Sequence, residues 1–449
     1  MIESIPDHVV DLIETLRRQF CDCHFISRHR VRRQDFTRER QLTFPVVMLV
    51  TLQKTVKSVQ RHLNEFLDEL AGGELFEPVT PGAWTHARAK LKHTAFIELN
   101  QTCVLPAIYN PARAESVRRW HGHRLLGIDS SITRLPNHPD LRAEFTPVDV
   151  TNDRGRVGIH YAEGRISVVY DLLNRAGLDG RLEPSSLGES ALALEQLACA
   201  APNDVAISDR GYTSYRYVAS VRQMGLHFVA RCSSGSFAAA QELFRRNRAG
   251  HSIVVKIFAP LDERAELRRL GLPLELTVRF VSLRLSTGEL EVLVTSLLDE
   301  QKYPTGDFLE VYHRRWNLET FYSVMKGRLD LENFSGQTPE AIRQDFHSTL
   351  LLCNLESVLT SSTETALQAE SVDHAYPKQV NRAVSFHTLK DQLLPLLYSD
   401  LPPEVVIAKL QRWFAGSPVS VRESRKVPRN KFSWPRSYHF IRRVRKIVF

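Results

Sequence analysis

The sequence predicts an α/β fold with a β-rich segment set into it and helical regions at both ends. Three observations carry this expectation. Residues 124–232 alternate short apolar runs with stretches of helical spacing, residues 233–300 are strand-like, and residues 1–115 repeat apolar positions every three or four residues. With 449 residues, 43% hydrophobic and 24% charged, the chain can bury more than one core, which excludes a disordered protein.

In the amino-terminal region, residues 46–70 read as one helix, ended by Ala71-Gly72-Gly73. Thr80 before Pro81 marks the next helix start, and that helix carries Trp84, Arg88 and Lys90. A helical DNA-binding unit and a plain helical hairpin both fit this pattern. Further on, residues 125–128 form a short apolar strand ending at Asp129, 166–173 a β-branched strand, 189–201 a helix and 205–207 a strand ending near Asp209. A helix over 213–224 and a strand over 227–230 complete the layer.

Residues 252–258, 274–285 and 290–297 are strand-like, and the turn Ser286-Thr287-Gly288-Glu289 joins the last two as a hairpin. Along 274–285 the apolar positions change parity after Phe280, which predicts a bulge. Helices follow over 305–329 and 338–360, then a helical and finally basic carboxyl region.

Charge is unevenly placed. The net charge is +8, yet residues 421–449 alone hold ten Lys or Arg against the single acid Glu423, with Phe432, Trp434, Tyr438 and Phe440 interleaved. Residues 17–40 form a second basic cluster of eight Arg against three acids. Basic segments with aromatic neighbours on a near-neutral body point to phosphate contacts, with a solvated tail as the plainer alternative. The longest apolar run, 42–52, contains Pro45 and falls short of the roughly 20 residues of a membrane span. The amino end lacks a basic start followed by an apolar stretch, so a cytoplasmic, nucleoid-associated protein with no membrane partner is expected. Six scattered cysteines fit free thiols in a reducing compartment, and Cys21, Cys23 and His24 are too few for a zinc site.

Asp129 and Asp209 both close apolar strands, where α/β folds present their functional groups, and carboxylates there suit hard divalent cations. On a continuous helix each residue advances about 100°, which places Arg315, Glu319 and Lys326 within about 60° of Tyr312. An acid among two cations and a tyrosine at the margin of the buried face fits a metal-dependent phosphodiester site, and an amphipathic helix with surface ion pairs fits the same spacing.

The stretch Tyr312-His313-Arg314-Arg315-Trp316-Asn317-Leu318-Glu319, with Lys326 seven residues beyond the glutamate, resembles the Tyr-x2-Arg-x3-Glu-x6-Lys signature of the insertion-sequence-4-type DDE transposases. Asp209-Arg210-Gly211-Tyr212 is similar to that family's second-aspartate motif. Leu331-Glu332-Asn333-Phe334-Ser335-Gly336, with Pro339, Ile342, Gln344, Asp345 and Phe346, resembles the segment after the signature. The resemblance spans about residues 80–360.

It implies an RNase H-like catalytic core interrupted by a β-rich insertion. The regions are then a helical DNA-binding part over 1–115, core over 116–232 and 301–375, insertion over 233–300, and a helical, basic part over 376–449. Asp129, Asp209 and Glu319 would hold two Mg²⁺ ions, with Mn²⁺ able to substitute. Tyr312, Arg315 and Lys326 would contact DNA, Arg210 is a further candidate contact or a structural arginine after its strand, and Trp316 would either stack on a base or belong to the core. Asp140, Asp149 and Asp171 are the other carboxylates to weigh against Asp129. Some relatives present a Trp from the insertion, whereas 233–300 contains none, so either Phe258 or Phe280 substitutes or the feature is absent here. The implied activity is cut-and-paste transposition on terminal inverted repeats and target DNA, by a homodimer holding two ends. The competing functions are a catalytically silent DNA-binding regulator and a metal-dependent nuclease without strand transfer.

Overall fold

The computed structural model describes residues 5–38, 40–72, 74–75, 77–110, 115–151, 157–372 and 374–421. The basic, aromatic segment expected to contact phosphates lies almost wholly outside the described residues. The chain divides into two compact units. One comprises Met1–Asn110, Thr133–Gly164 and Val324–Phe449, and the other Pro111–Ile132 and Arg165–Ser323.

The second unit is built on a mixed sheet. Its strands are β1 (Leu125–Leu135) as far as Ile132, β3 (Val157–Asp171) from Arg165 onward, β4 (Ala176–Pro184), β5 (Val205–Ser208), β6 (His227–Arg231), β7 (His251–Phe258), β8 (Glu275–Arg284) and β9 (Leu290–Thr295), whereas β2 (Thr146–Thr151) and the remainders of β1 and β3 belong to the first unit. They run in the order β4-β3-β1-β5-β6-β9-β8-β7. The pairs β1 with β5 and β5 with β6 are parallel, whereas β6 with β9, β9 with β8 and β8 with β7 are antiparallel. The central parallel strand, β5, is covered on both faces, with every residue of Val205–Ser208 buried. In the first unit β2 pairs antiparallel with the start of β3.

Two sequence expectations change here. The parity slip in β8 is not a bulge, because the strand keeps an unbroken register with both neighbours. Val278, Phe280, Val281 and Leu283 are all buried, so β8 is covered on both faces and needs no alternation. The hairpin turn is as expected, with Gly288 at φ +86 and Leu285 N donating to Glu289 O. β1 also continues through Asp129 to Leu135 rather than ending there.

The first unit is helical around Pro339–Glu370, a 32-residue helix that runs beyond the expected 360. Residues 46–70 form two helices, Phe44–Leu52 and Val59–Leu70, the second capped by Ser58 Oγ accepting from Arg61 N. Their surroundings explain the break: the first is buried along its whole length, whereas the second buries only Leu63, Phe66 and Leu67. Thr80 caps the helix Pro81–Arg88 as predicted, accepting from Ala83 N. Trp84 and Arg88 of that helix are buried, so these two side chains form no exposed DNA-reading face.

Arg88 instead organises the segment after the signature. Its guanidinium donates to Gln344 Oε1 at 2.7 Å, Ser335 Oγ at 2.6 Å, Ala341 O at 2.8 Å and Asp345 Oδ1 at 2.7 Å. Burial opposes ionisation of Asp345, but Arg88, Lys54 and the Ser335 hydrogen bonds hold its carboxyl below the usual range. Removing one partner from a dry ion pair strands the other charge. Asp345→Ala is therefore expected to lose about 3–5 kcal/mol in urea unfolding, whereas Glu65→Ala, whose exposed carboxylate pairs with Lys57 and Arg61, should lose no more than about 1 kcal/mol.

Candidate active site

The two aspartates become neighbours through strand register. Parallel pairing runs Leu125↔Val205 to Ile128↔Ser208 and, on the next strand, Val205↔His227 to Ser208↔Ala230. One residue further along each chain stand Asp129, Asp209 and Arg231. Asp209 retains extended backbone, φ −84 and ψ 178, before the short turn Arg210–Tyr212. Three strands kept in step thus deliver two acids and a cation to one row, although Asp129 lies within its strand and not at the end.

Asp129 Oδ1 accepts from Ser130 N at 2.8 Å, and its side chain is 26% exposed. Burial pushes its carboxyl up to about 6; the Ser130 amide and Arg315 oppose this, while Asp209 and Glu189 add repulsion. Asp209 Oδ1 accepts from Arg210 N at 2.6 Å and from the Tyr312 hydroxyl at 3.4 Å. Arg210 is exposed beside it.

The signature is not one helix over 305–329. It forms the helices Asp307–His313 and Trp316–Ser323, followed by a π turn Val324–Arg328. Between the helices the bonds tighten to three-residue spacing, from Arg315 N to Tyr312 O, Asn317 N to Arg314 O and Leu318 N to Arg315 O. No Gly or Pro marks this break, so spacing alone gave no sign of it.

The second helix is fixed to the strands at three points. Leu318 fits against Gly127, where a Cβ would stand 3.3 Å from Leu318 Cδ2 and 2.8 Å from Leu172 Cδ2. Asn317 Nδ2 donates to Leu172 O at 3.2 Å. The buried Tyr322 hydroxyl donates to Asp129 O at 2.7 Å and accepts from Val168 N at 3.0 Å. Glu319, carried between Asn317 and Tyr322, is thereby held toward the Asp129 strand.

Arg315 is the central cation. It is buried, 2.8 Å from Glu319 Oε1 and 3.7 Å from Asp129 Oδ2, and its guanidinium lies 5.5 Å from the Tyr312 ring and 5.8 Å from that of Trp316. Trp316 is 43% exposed, which removes it from the core. Tyr312 is buried beside Asp209. Lys326 lies in the π turn, in the other unit, 3.5 Å from Glu332. Of the insertion aromatics, Phe280 is fully buried and cannot present a stacking face, while Phe258 is 60% exposed.

The other aspartates have structural partners. Asp171 is buried and accepts from the amides of Leu173 and Asn174, closing a turn. Asp149 pairs with Arg142 and His160 in the first unit, and Asp140 opens a short helix there.

Three residues of the second unit were missed in the sequence. Glu189 meets Ser130 Oγ at 2.9 Å and pairs with Arg165. Arg231 ends the row and pairs with the buried Glu291 at 2.5 Å. Tyr322 stands three residues after Glu319, the one spacing that offered a signal, since that interval shares a helix face.

The donors Asp129, Asp209 and Glu319 are all hard oxygens, which fits Mg²⁺ or Mn²⁺ by type. Among the described residues no three acids, histidines or cysteines stand close enough to hold an ion as they are. Arg315 supplies the positive charge between Asp129 and Glu319.

This arrangement predicts a destabilising carboxylate. In the metal-free chain both folded and unfolded Asp129 are protonated below about pH 4; from there to about pH 6 the unfolded chain ionises first, so the native state loses ground as pH rises. With EDTA present, Asp129→Asn should stabilise the protein by about 1–3 kcal/mol at pH 7, a gain that shrinks to nothing near pH 4. Equal stability of the two proteins across that range in denaturant titrations would contradict it.

Residues 120–355 match the family described as Transposase DDE domain. The transposase InsG for insertion sequence element IS4 of Escherichia coli (strain K12) is 24% identical over 238 residues, covering 53% of this chain and 52% of that protein. The match thus spans about half the length of the curated relative. Among solved structures, the cryo-EM structure of the piggyBac transposase synaptic complex with hairpin DNA aligns with a TM-score of 0.44 and 11% identity, over 89% of this chain and 81% of that one. The family match takes in Asp129, Asp209, Glu319 and the whole stretch from Tyr312 to Lys326, and with more than half of its length inside that match the chain belongs to the DDE-domain transposase family.

Proposed function

We propose that this chain is a DNA transposase that binds the terminal inverted repeats of its own element, cleaves there with Mg²⁺, and joins the freed 3′ ends to target DNA. The observation that carries this is the row of Asp129 and Asp209 set by strand register, with Glu319 on a helix fixed to the same strands. The family generally uses divalent metal ions. Asp129, Asp209 and Glu319 would hold two of them. When bound, they supply an activated water or 3′-hydroxyl and stabilise the leaving oxygen of an in-line displacement.

The chain's own residues bind and orient the DNA. Arg315 and Tyr312 would exchange their carboxylate partners for phosphate oxygens, since a guanidinium pairs with either. Arg210 and Lys326 add charge for the backbone, and the exposed indole of Trp316 offers a stacking face. The strand order β4-β3-β1-β5-β6 supports an RNase H-like core, into which residues 233–300 bring β7 to β9. Residues 1–115 and 376–449 would serve end binding and pairing, in a homodimer acting on the nucleoid. Among the described residues no helix is long and apolar enough to cross a membrane.

One observation favours a catalytically silent regulator: Arg315 already holds Glu319 and approaches Asp129. The same assay decides between the readings. Incubated with a labelled duplex carrying the element's own terminus, the protein should nick at the boundary with Mg²⁺ and not with EDTA. Asp209→Ala and Glu319→Ala should still bind DNA yet lose more activity than the roughly 10–100-fold that an outer-shell change costs. Tight binding with no cleavage under any divalent ion would establish the regulator, and nicking without joined products a nuclease. Arg210→Ala is expected to weaken binding to all duplexes alike and to lower the salt slope of log K by about 1; a slope unchanged in titrations would remove it from the phosphate contacts.

A further inference from the structure

Glu189 opens the helix Glu189–Gln196 and stands between the segments that carry Asp129 and Asp209. Its Oε1 accepts from the hydroxyl of Ser130, the residue after Asp129, at 2.9 Å. A Cβ built on Gly211, two residues after Asp209, would lie 3.8 Å from its Oε2, and Ser190 Oγ, next on the helix, donates to Gly211 O at 3.4 Å. All of these residues belong to the second unit. The first turn of one helix thus touches both aspartate-bearing segments and brings a further carboxylate to them.

Two features set this carboxylate apart from a surface ion pair. Glu189 is paired with Arg165 as Glu319 is with Arg315, yet Arg165 also donates to Ser130 Oγ at 2.6 Å and to Ser185 O at 3.0 Å, so the guanidinium keeps its place when the acid leaves. Glu189 itself is 42% exposed, and its side chain can turn. The second feature is Tyr212. It is 1% exposed, and its hydroxyl has no hydrogen-bond partner among the described residues, an arrangement that folded proteins avoid. Burial, and after it the negative charges of Asp129 and Glu189, push its ionisation up, so these two acids are the charges that the idle donor feels most. A plain pairing of Arg165 with Glu189 leaves that donor unexplained.

We propose that Glu189 is a fourth carboxylate of the divalent-metal site, which leaves Arg165 for an ion beside Asp129 and there accepts a hydrogen bond from the Tyr212 hydroxyl. With Asp129, Asp209 and Glu319 as the other ligands, the reading on which this one rests, two divalent ions bring four positive charges against three carboxylates. Glu189 completes that balance before any phosphate arrives, and its oxygens are hard donors of the kind that Mg²⁺ and Mn²⁺ take.

The test titrates Mn²⁺ into the full chain without DNA, reading the free ion by electron paramagnetic resonance, and follows melting in EDTA on the same proteins. The wild type should bind Mn²⁺ and Asp209→Ala should lose that binding. Glu189→Gln, whose amide oxygen still accepts from Ser130 and Arg165, should weaken it by more than about tenfold, the lower limit of an outer-shell change, while its Tm in EDTA stays close to that of the wild type. Tyr212→Phe should raise Tm in EDTA, because it removes an unpaired buried hydroxyl, and should weaken Mn²⁺ binding by about 10–100-fold; a hydroxyl with a structural role alone leaves that affinity unchanged. Wild-type Mn²⁺ affinity in Glu189→Gln overturns the proposal, and should that variant fail to fold, wild-type affinity in Tyr212→Phe overturns it instead. If Asp209→Ala has lost binding in either case, the three-carboxylate reading stands alone. A wild type that binds no Mn²⁺, or an Asp209→Ala that binds it equally well, overturns both.

Discussion

The structure of the second unit depends on the common register of β1, β5 and β6. Adjacent strands lie ~4.8 Å apart, so keeping the three in step forces the residues that follow Ile128, Ser208 and Ala230 into one row. Two of those residues are aspartates, and at an effective dielectric of 20 two charges about 5 Å apart repel by roughly 3 kcal/mol. The fold tolerates this because the strands beneath are held by fully buried apolar contacts. The elevated carboxyl of Asp129 comes first from burial, and repulsion from Asp209 is a smaller contribution.

A site that concentrates negative charge must be balanced, and Arg315 does so here. It reaches Glu319 from one side and approaches Asp129 from the other, with aromatic rings at Tyr312 and Trp316 beside its plane. Carried in the turn between the two signature helices, this guanidinium neutralises the acids, and under the proposed function it would be free to grip a phosphate were a divalent cation to hold them. In the proposed function the same side chain therefore couples the arrival of metal to the grip on DNA.

Much of this was legible in the sequence, and the failures have physical causes. The parallel strands were visible as short apolar runs because burial on both faces leaves little else for them to be. That same two-sided burial misled the reading of β8, where Val281 and Leu283 continue the apolar run on the other parity and imitate a bulge. The signature residues were visible through their spacing, but the tightened turn at Arg314–Leu318 was not, since no proline or glycine marks it. Arg88 was read as part of a helix that fits a DNA-binding unit or a plain hairpin; its partners Gln344 and Asp345 lie more than 250 residues away, beyond any local pattern. Arg231 and Glu189 were missed for a related reason: only the register of neighbouring strands places Arg231 beside Asp209, and Glu189 comes from the start of a helix to meet Ser130, 59 residues away.

The third carboxylate poses the hardest placement problem. Glu319 lies 110 residues beyond Asp209, with β6 to β9 between them, and bringing it back costs loop-closure entropy that its own interactions cannot offset. Its neighbours do that work. Leu318 enters the space left by Gly127, Asn317 bonds to the turn after β3, and Tyr322 joins Val168 and Asp129 through a single buried hydroxyl. Because Tyr322 is bonded to the main chain of Asp129 itself, the first and third carboxylates are linked through one side chain. Their relative position then depends on packing and hydrogen bonds of the chain itself, so the protein scaffold sets where Glu319 is carried.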